Sequence, residues 1–119
     1  MALKASAVLS AELNGVFLGP AVRASAPYAE VSEAQAGDWS TKDVRGREVR
    51  VGVVLRDAAE APDRIGRLAD ACERAIEALP REMGGWQVAH VRFVRSRIAG
   101  DGPGRWIAAV DYRVRMLEE

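Results

Sequence analysis

The spacing of apolar positions changes several times along the chain, and each change marks an element. Leu3, Ala7, Leu9 and Leu13, with Val16 and Phe17 beyond them, approximate helical spacing from Leu3 to about Asn14. Asn14-Gly15 is a natural helix stop. Gly19-Pro20 predicts a turn, and Ala26-Pro27 holds the chain extended before a short strand from Tyr28 to Glu33. About a dozen polar residues follow, with Trp39 among them. Val49, Val51, Val53 and Leu55 then alternate with Glu48, Arg50, Gly52 and Arg56, a period of two with one apolar face. Val54 interrupts the polar face.

Pro62 fits the first position of a helix, where its missing N–H costs nothing, and Asp63 suits the positive end of the helix dipole. A capping box from Asp57 to Glu60 would instead bury Pro62 inside the helix, where its ring clashes with the preceding turn. Ile65, Leu68, Ala69, Cys72, Ile76 and Leu79 form one apolar stripe that Pro80 ends. After Met83-Gly84-Gly85, a strand from Trp86 to about Ile98 slips its alternation near Arg92 to Val94, which predicts a bulge. Ala99 to Arg105 reads as a turn. Trp106, Ala108, Val110, Tyr112, Val114 and Met116 then alternate with charged residues in a long last strand. The order α-β-β-α-β-β, with neighbouring strands joined by loops, predicts an α+β fold. Its expected form is a two-layer sandwich, a mainly antiparallel four-stranded sheet covered by two helices.

Composition narrows the function. At 119 residues the chain is expected to be one domain, residues 1–119, large enough for a core without metal or disulfide support. Seventeen basic residues balance seventeen acidic ones, which argues against a protein governed by long-range attraction to nucleic acid and permits self-assembly. Cys72 is the single cysteine, so neither an internal disulfide nor a cysteine-built metal site is expected. The N-terminus has no signal-peptide pattern and no apolar run reaches membrane-spanning length, so a soluble protein assembled in the cytoplasm is expected.

Chemistry is sparse. His90, Ser96 and Asp111 hold the residue types of a triad, but no motif sets a nucleophile on a strained turn. Cys72 sits on the apolar stripe and reads as core. "GDGPG" is followed by a strand rather than a helix N-terminus, so it reads as a hairpin turn and not as a phosphate cradle. Six arginines crowd the last third beside several aromatics, which suggests a base-stacking sheet. Against this, Trp106 and Tyr112 share a face with Val110 and Val114, whereas Arg113 and Arg115 occupy the other. Neither a catalytic centre nor a cofactor is expected.

The stretch "PYAEVSEAQAGDWSTKDVRGREVRVGVVLRD", Pro27 to Asp57, followed by "RIGRLADACERAIEAL" and closed by "WIAAVDYRVRM", resembles the tail-completion, or tail-terminator, proteins of long-tailed phages and related particles such as gene transfer agents. The likeness covers nearly the whole chain; Val54-Leu55-Arg56 departs from it, where many relatives carry an aromatic. The resemblance implies a virion structural protein without enzymatic activity. It further implies a homo-oligomeric, commonly hexameric, ring on the head-proximal end of the tail tube. There it halts tube growth and joins the tail to the head connector, with DNA passing through. The other readings are a different head–tail adaptor and a small nucleic-acid-binding module. Under the ring reading Trp39 is the expected interface anchor, and Asp38, Lys42, Asp43, Arg45 and Arg47 fix register by charge pairing. Arg113 and Arg115 join that set. The competing reading for Trp39 is a lid folded over its own core.

Overall fold

The computed structural model describes residues 7–19, 21 and 23–119. Positions 3–6 of the expected first helix, and Pro20 of the expected turn, lie outside them. The elements are a short helix α1 (Ala7–Glu12), strands β1 (Val16–Leu18), β2 (Tyr28–Asp38) and β3 (Gly46–Ala58), helix α2 (Asp63–Glu77), and strands β4 (Glu82–Met83), β5 (Trp86–Gly100) and β6 (Arg105–Glu118).

All six strands form one sheet in the order β1-β2-β3-β6-β5-β4. The β1–β2 pair is parallel, and the other pairs are antiparallel. This overturns the expected α+β sandwich of a four-stranded antiparallel sheet under two helices. The fold is mostly β, a mixed six-stranded sheet with one full-length helix, and the described part of α1 is six residues long. β1 and β4 hold three and two residues, too few to show a period, and parallel pairing leaves no local trace in sequence. The second strand also runs past Glu33 to Asp38. Its Ala, Glu, Gln and Gly residues are poor strand formers, and the ladder to β3, unbroken from Glu33↔Gly52 to Asp38↔Arg47, overrides that weak preference.

The helix stripe behaves as read up to Ile76, whereas Leu79 lies past the helix end at Glu77 and is half-buried. Ile65, Leu68, Ala69, Cys72 and Ile76 are buried, and Pro62 sits one position earlier than expected, at the N-cap. They pack on Ala29, Val53, Leu55, Ala108, Val110 and Tyr112, with Leu9 of α1 closing the cluster. Fully burying a side chain such as Leu55 or Leu68 contributes about 1.5–3 kcal/mol. The Tyr112 hydroxyl satisfies itself under the helix by donating to Glu77. Asp57 has a fully buried side chain and takes both forks of Arg64, at 2.9 and 2.6 Å. Trp106 donates its indole N–H to the Ala59 carbonyl.

Length mismatch shapes the molecule. β5 and α2 each hold 15 residues. A strand of that length spans about 50 Å and a helix only about 22 Å, and the long axis measures 53 Å. α2 therefore covers less than half of the sheet, and the β2–β3 hairpin end projects beyond it.

Candidate assembly surface

The hairpin end is built by hydrogen bonds rather than by burial. The β2–β3 connection is Trp39 to Arg45, shorter than the expected dozen residues because β2 is longer. Asp38 accepts the Ser40 hydroxyl at 2.6 Å, and Ser40 Oγ in turn accepts the Gly46 N–H at 3.0 Å. Trp39 N–H donates to Gly46 O, and Thr41 N–H to Val44 O. Thr41 Oγ1 accepts the Val44 N–H. Gly46 is needed because a Cβ there would overlap the Trp39 carbonyl. The result is a closed loop whose tip exposes Lys42, Asp43 and Val44.

Each expected interface residue can now be located. Trp39 is half-buried and lies on the sheet face opposite α2. Its ring meets His90 edge-on at 6.1 Å, and the Arg115 guanidinium sits 5.2 Å from its centre. Arg45 reaches Glu118 at 3.7 Å, and Arg47 lies 5.2 Å over Trp86 on the other face. Arg115 binds Glu48 at 2.8 Å, and Arg113 Nε approaches the same carboxylate at 3.3 Å without the alignment of a hydrogen bond. The Arg115 hydrogen bond holds the Glu48 carboxyl below its usual value against a smaller desolvation effect, and the charges of Arg113, Arg115 and Arg50 add to the depression. Asp38, Trp39, Arg45, Arg47, Arg113 and Arg115 thus gather around one end of the sheet, with Lys42 and Asp43 at its tip.

Four arginines on the face away from α2, Arg50, Arg92, Arg95 and Arg97, were not among the expected interface residues. Register sets Arg50, Arg113 and Arg92 side by side across β3, β6 and β5. Arg92 and Arg95 differ by three positions, which in a regular strand points them to opposite faces. The expected slip lies between Phe93 and Arg95, with another between Val88 and His90, and it returns Arg95 and Arg97 to the face of Arg92. Asp111 accepts Arg95 at 2.8 Å on that face. The sequence carried a signal for the bulge but none for its effect on the arginines.

The triad types do not converge. His90 stands opposite Arg115 and Asp111 opposite Arg95, whereas Ser96 stands opposite Val110 on the helix side of the sheet. Cys72 is buried, and desolvation pushes its thiol up to about 12. "GDGPG" closes the β5–β6 hairpin, with Asp101 N–H donating to Arg105 O and with Gly102 and Gly104 at positive φ.

Comparison with known proteins places these features in a family. The profile described as "Tail completion protein gp17" matches residues 1–117. Among curated proteins, none matches the chain in sequence. In three dimensions the chain is similar to a protein chain from the structure titled "Virion of native gene transfer agent (GTA) particle". The TM-score is 0.74 and the identity 17%, over 98% of this chain and 89% of that one. At that identity the likeness is one of fold.

Proposed function

Since this chain belongs to the tail completion protein gp17 family, and so is a structural component of a phage-type tail and of the virion, we propose that it forms a closed ring at the head-proximal end of the tail tube. The ring stops tube polymerisation and presents a surface to the head connector, with DNA passing through its centre. The work is done by shape and contact rather than by turnover. A closed ring needs two different, complementary patches on every subunit, and modest contacts repeated around it give firm assembly.

The observation that carries this reading is the projecting hairpin end. A sheet that outruns its helix by about half its length carries a hydrogen-bonded loop with Trp39 at its base and Lys42 and Asp43 at its tip. Asp38, Trp39, Lys42, Asp43, Arg45, Arg47, Arg113 and Arg115 are proposed to form the contact with a neighbouring subunit or with the tube. Trp39→Ala is expected to leave the core folded, because Trp39 lies on the face away from α2, and to weaken assembly. Sedimentation and electron microscopy of the purified protein, with and without tail tubes, measure this. A wild-type protein that remains monomeric at high concentration and does not cap tubes would defeat the ring. A Trp39→Ala protein that assembles normally would remove this loop from the contact.

A further inference from the structure

Both helices pack on one face of the sheet, and among the described residues the other face is left open. Across β3, β6 and β5 the middle of that open face carries Arg50, Arg92, Arg95, Arg97, Arg113 and Arg115, with Glu48 and Asp111 as the carboxylates among them. Arg113 and Arg115 share Glu48, and Arg95 reaches Asp111. Arg50, Arg92 and Arg97 are exposed and form no ion pair among the described residues. Toward β2 the face turns mixed, where Glu30 and Asp101 hold Arg56. The zero net charge of the whole chain thus conceals a segregated cationic surface.

This arrangement costs the isolated subunit stability. Arg50 pairs directly with Arg113 across the strands, and Arg113 with Arg92, and like charges set opposite one another repel. Of the three, Arg113 is the one in an ion pair with Glu48. Neighbouring strands stand about 4.8 Å apart and alternate residues about 6.8 Å along one strand, so the arginines tile a patch of about 10 by 14 Å. Two hollows open on it. Arg50, Arg95, Asp111 and Arg113 line one of about 230 Å³, and His90, Arg92, Arg113 and Arg115 line the other, of about 330 Å³. Guanidinium groups converging from several strands present the planar donor forks that match phosphate oxygens.

From these observations we infer that the open arginine face binds the phosphate backbone of duplex DNA without reading its sequence, chiefly through Arg50, Arg92 and Arg97. The inference rests on the proposed ring and names the face that its channel presents. Charge and composition select this occupant over its rivals. The core of a protein–protein contact is depleted of charge, and the exposed Phe93 and Ile98 belong to the opposite face, with Val94 at the bulge. Protein–DNA contacts are more polar and far more positively charged. An unpaired strand needs aromatic platforms for its bases, but Trp106 and Tyr112 face α2. Trp39 and His90 are stacked at the hairpin end with Arg115 over the tryptophan ring. The four long strands span about 14 Å before side chains are added, wider than the roughly 12 Å major groove, so this face meets phosphates rather than base edges.

Binding of a short mixed-sequence DNA duplex, followed by fluorescence anisotropy over a salt series, tests it. The logarithm of the binding constant falls by about 0.9 per decade of salt for each phosphate contacted. Wild type is expected to show a steep slope. A variant carrying Arg50→Gln, Arg92→Gln and Arg97→Gln is expected to flatten it by about 3 and, at about 0.1 M salt, to bind about a hundredfold more weakly. Lysine at the same three positions keeps the charge and is expected to restore the slope. If the triple variant fails to fold, Arg97→Gln alone is expected to flatten the slope by about 1. Wild type that leaves the duplex unbound at low salt, or a folded glutamine variant with an unchanged slope, overturns the DNA contact and leaves the ring standing. A folded glutamine variant that keeps its DNA affinity but no longer assembles or caps tail tubes gives these arginines to a protein partner, which overturns it equally. Sedimentation without DNA judges the ring separately, and a monomeric wild type that binds DNA through these arginines defeats the ring alone.

Discussion

Replacing Arg64 by methionine isolates the energetics of the buried carboxylate that anchors α2 to the sheet. Asp57 has no exposed side-chain surface, and its oxygens accept Arg64 Nε at 2.9 Å, Arg64 Nη2 at 2.6 Å and the Ala58 N–H at 2.8 Å. Arg64→Met keeps the aliphatic stem and removes two charge-assisted hydrogen bonds. Stripping one partner from a fully buried pair costs about 3–5 kcal/mol, and from an exposed pair about 0–1 kcal/mol. The Arg64 side chain is 37% exposed, so water reaches the vacated position and the cost falls between these limits, at about 2 kcal/mol. In a domain of this size that lowers Tm by about 8 °C.

The pH dependence gives an independent check. The Arg64 hydrogen bonds hold the Asp57 carboxyl below its ordinary 3.8, against desolvation, with the Ala58 N–H assisting. A carboxyl depressed in the folded state adds stability above its unfolded pKa and loses it as pH falls through the folded value. The gap between wild type and Arg64→Met is thus full at neutral pH and closes as pH falls below 3.8. Thermal unfolding followed by circular dichroism measures it, at concentrations where the protein is monomeric, because assembly adds stability by mass action. A variant that melts within about 1 °C of wild type at neutral pH, or a gap equally wide at about pH 3, would refute the reasoning.

Two further outcomes follow from the packing. Gly46→Ala drives a Cβ into the Trp39 carbonyl and is expected to cost about 1–3 kcal/mol as the loop yields; urea unfolding reads the loss, and an unchanged midpoint would mean the loop yields freely. Cys72 is buried with its thiol raised to about 12, so a thiol-specific reagent is expected to leave it unmodified in the native protein and to label it on unfolding.

The candidate surface was legible in parts. Trp39 stands out in sequence because a tryptophan among polar residues has few uses other than contact. Its position on the face of His90 and Arg115 depends on β6 lying between β3 and β5. Arg113 and Arg115 were separable from Tyr112 by alternation alone, since a strand points neighbours to opposite faces. Arg50 and Arg92 could not be added to them, because cross-strand register is a long-range property.

Local pattern determined the long elements of this protein: the α2 stripe, the alternation of β3 and β6, and the slip in β5. Each arises because side chains in a helix or strand repeat at a period that shows within a dozen residues. The likeness to tail-completion proteins was also readable in the residues themselves. Tertiary structure alone decided the rest. It set the parallel β1, the extension of β2 to Asp38 and the strand order. Those depend on hydrogen bonds between segments far apart in the chain, which no single stretch of sequence encodes.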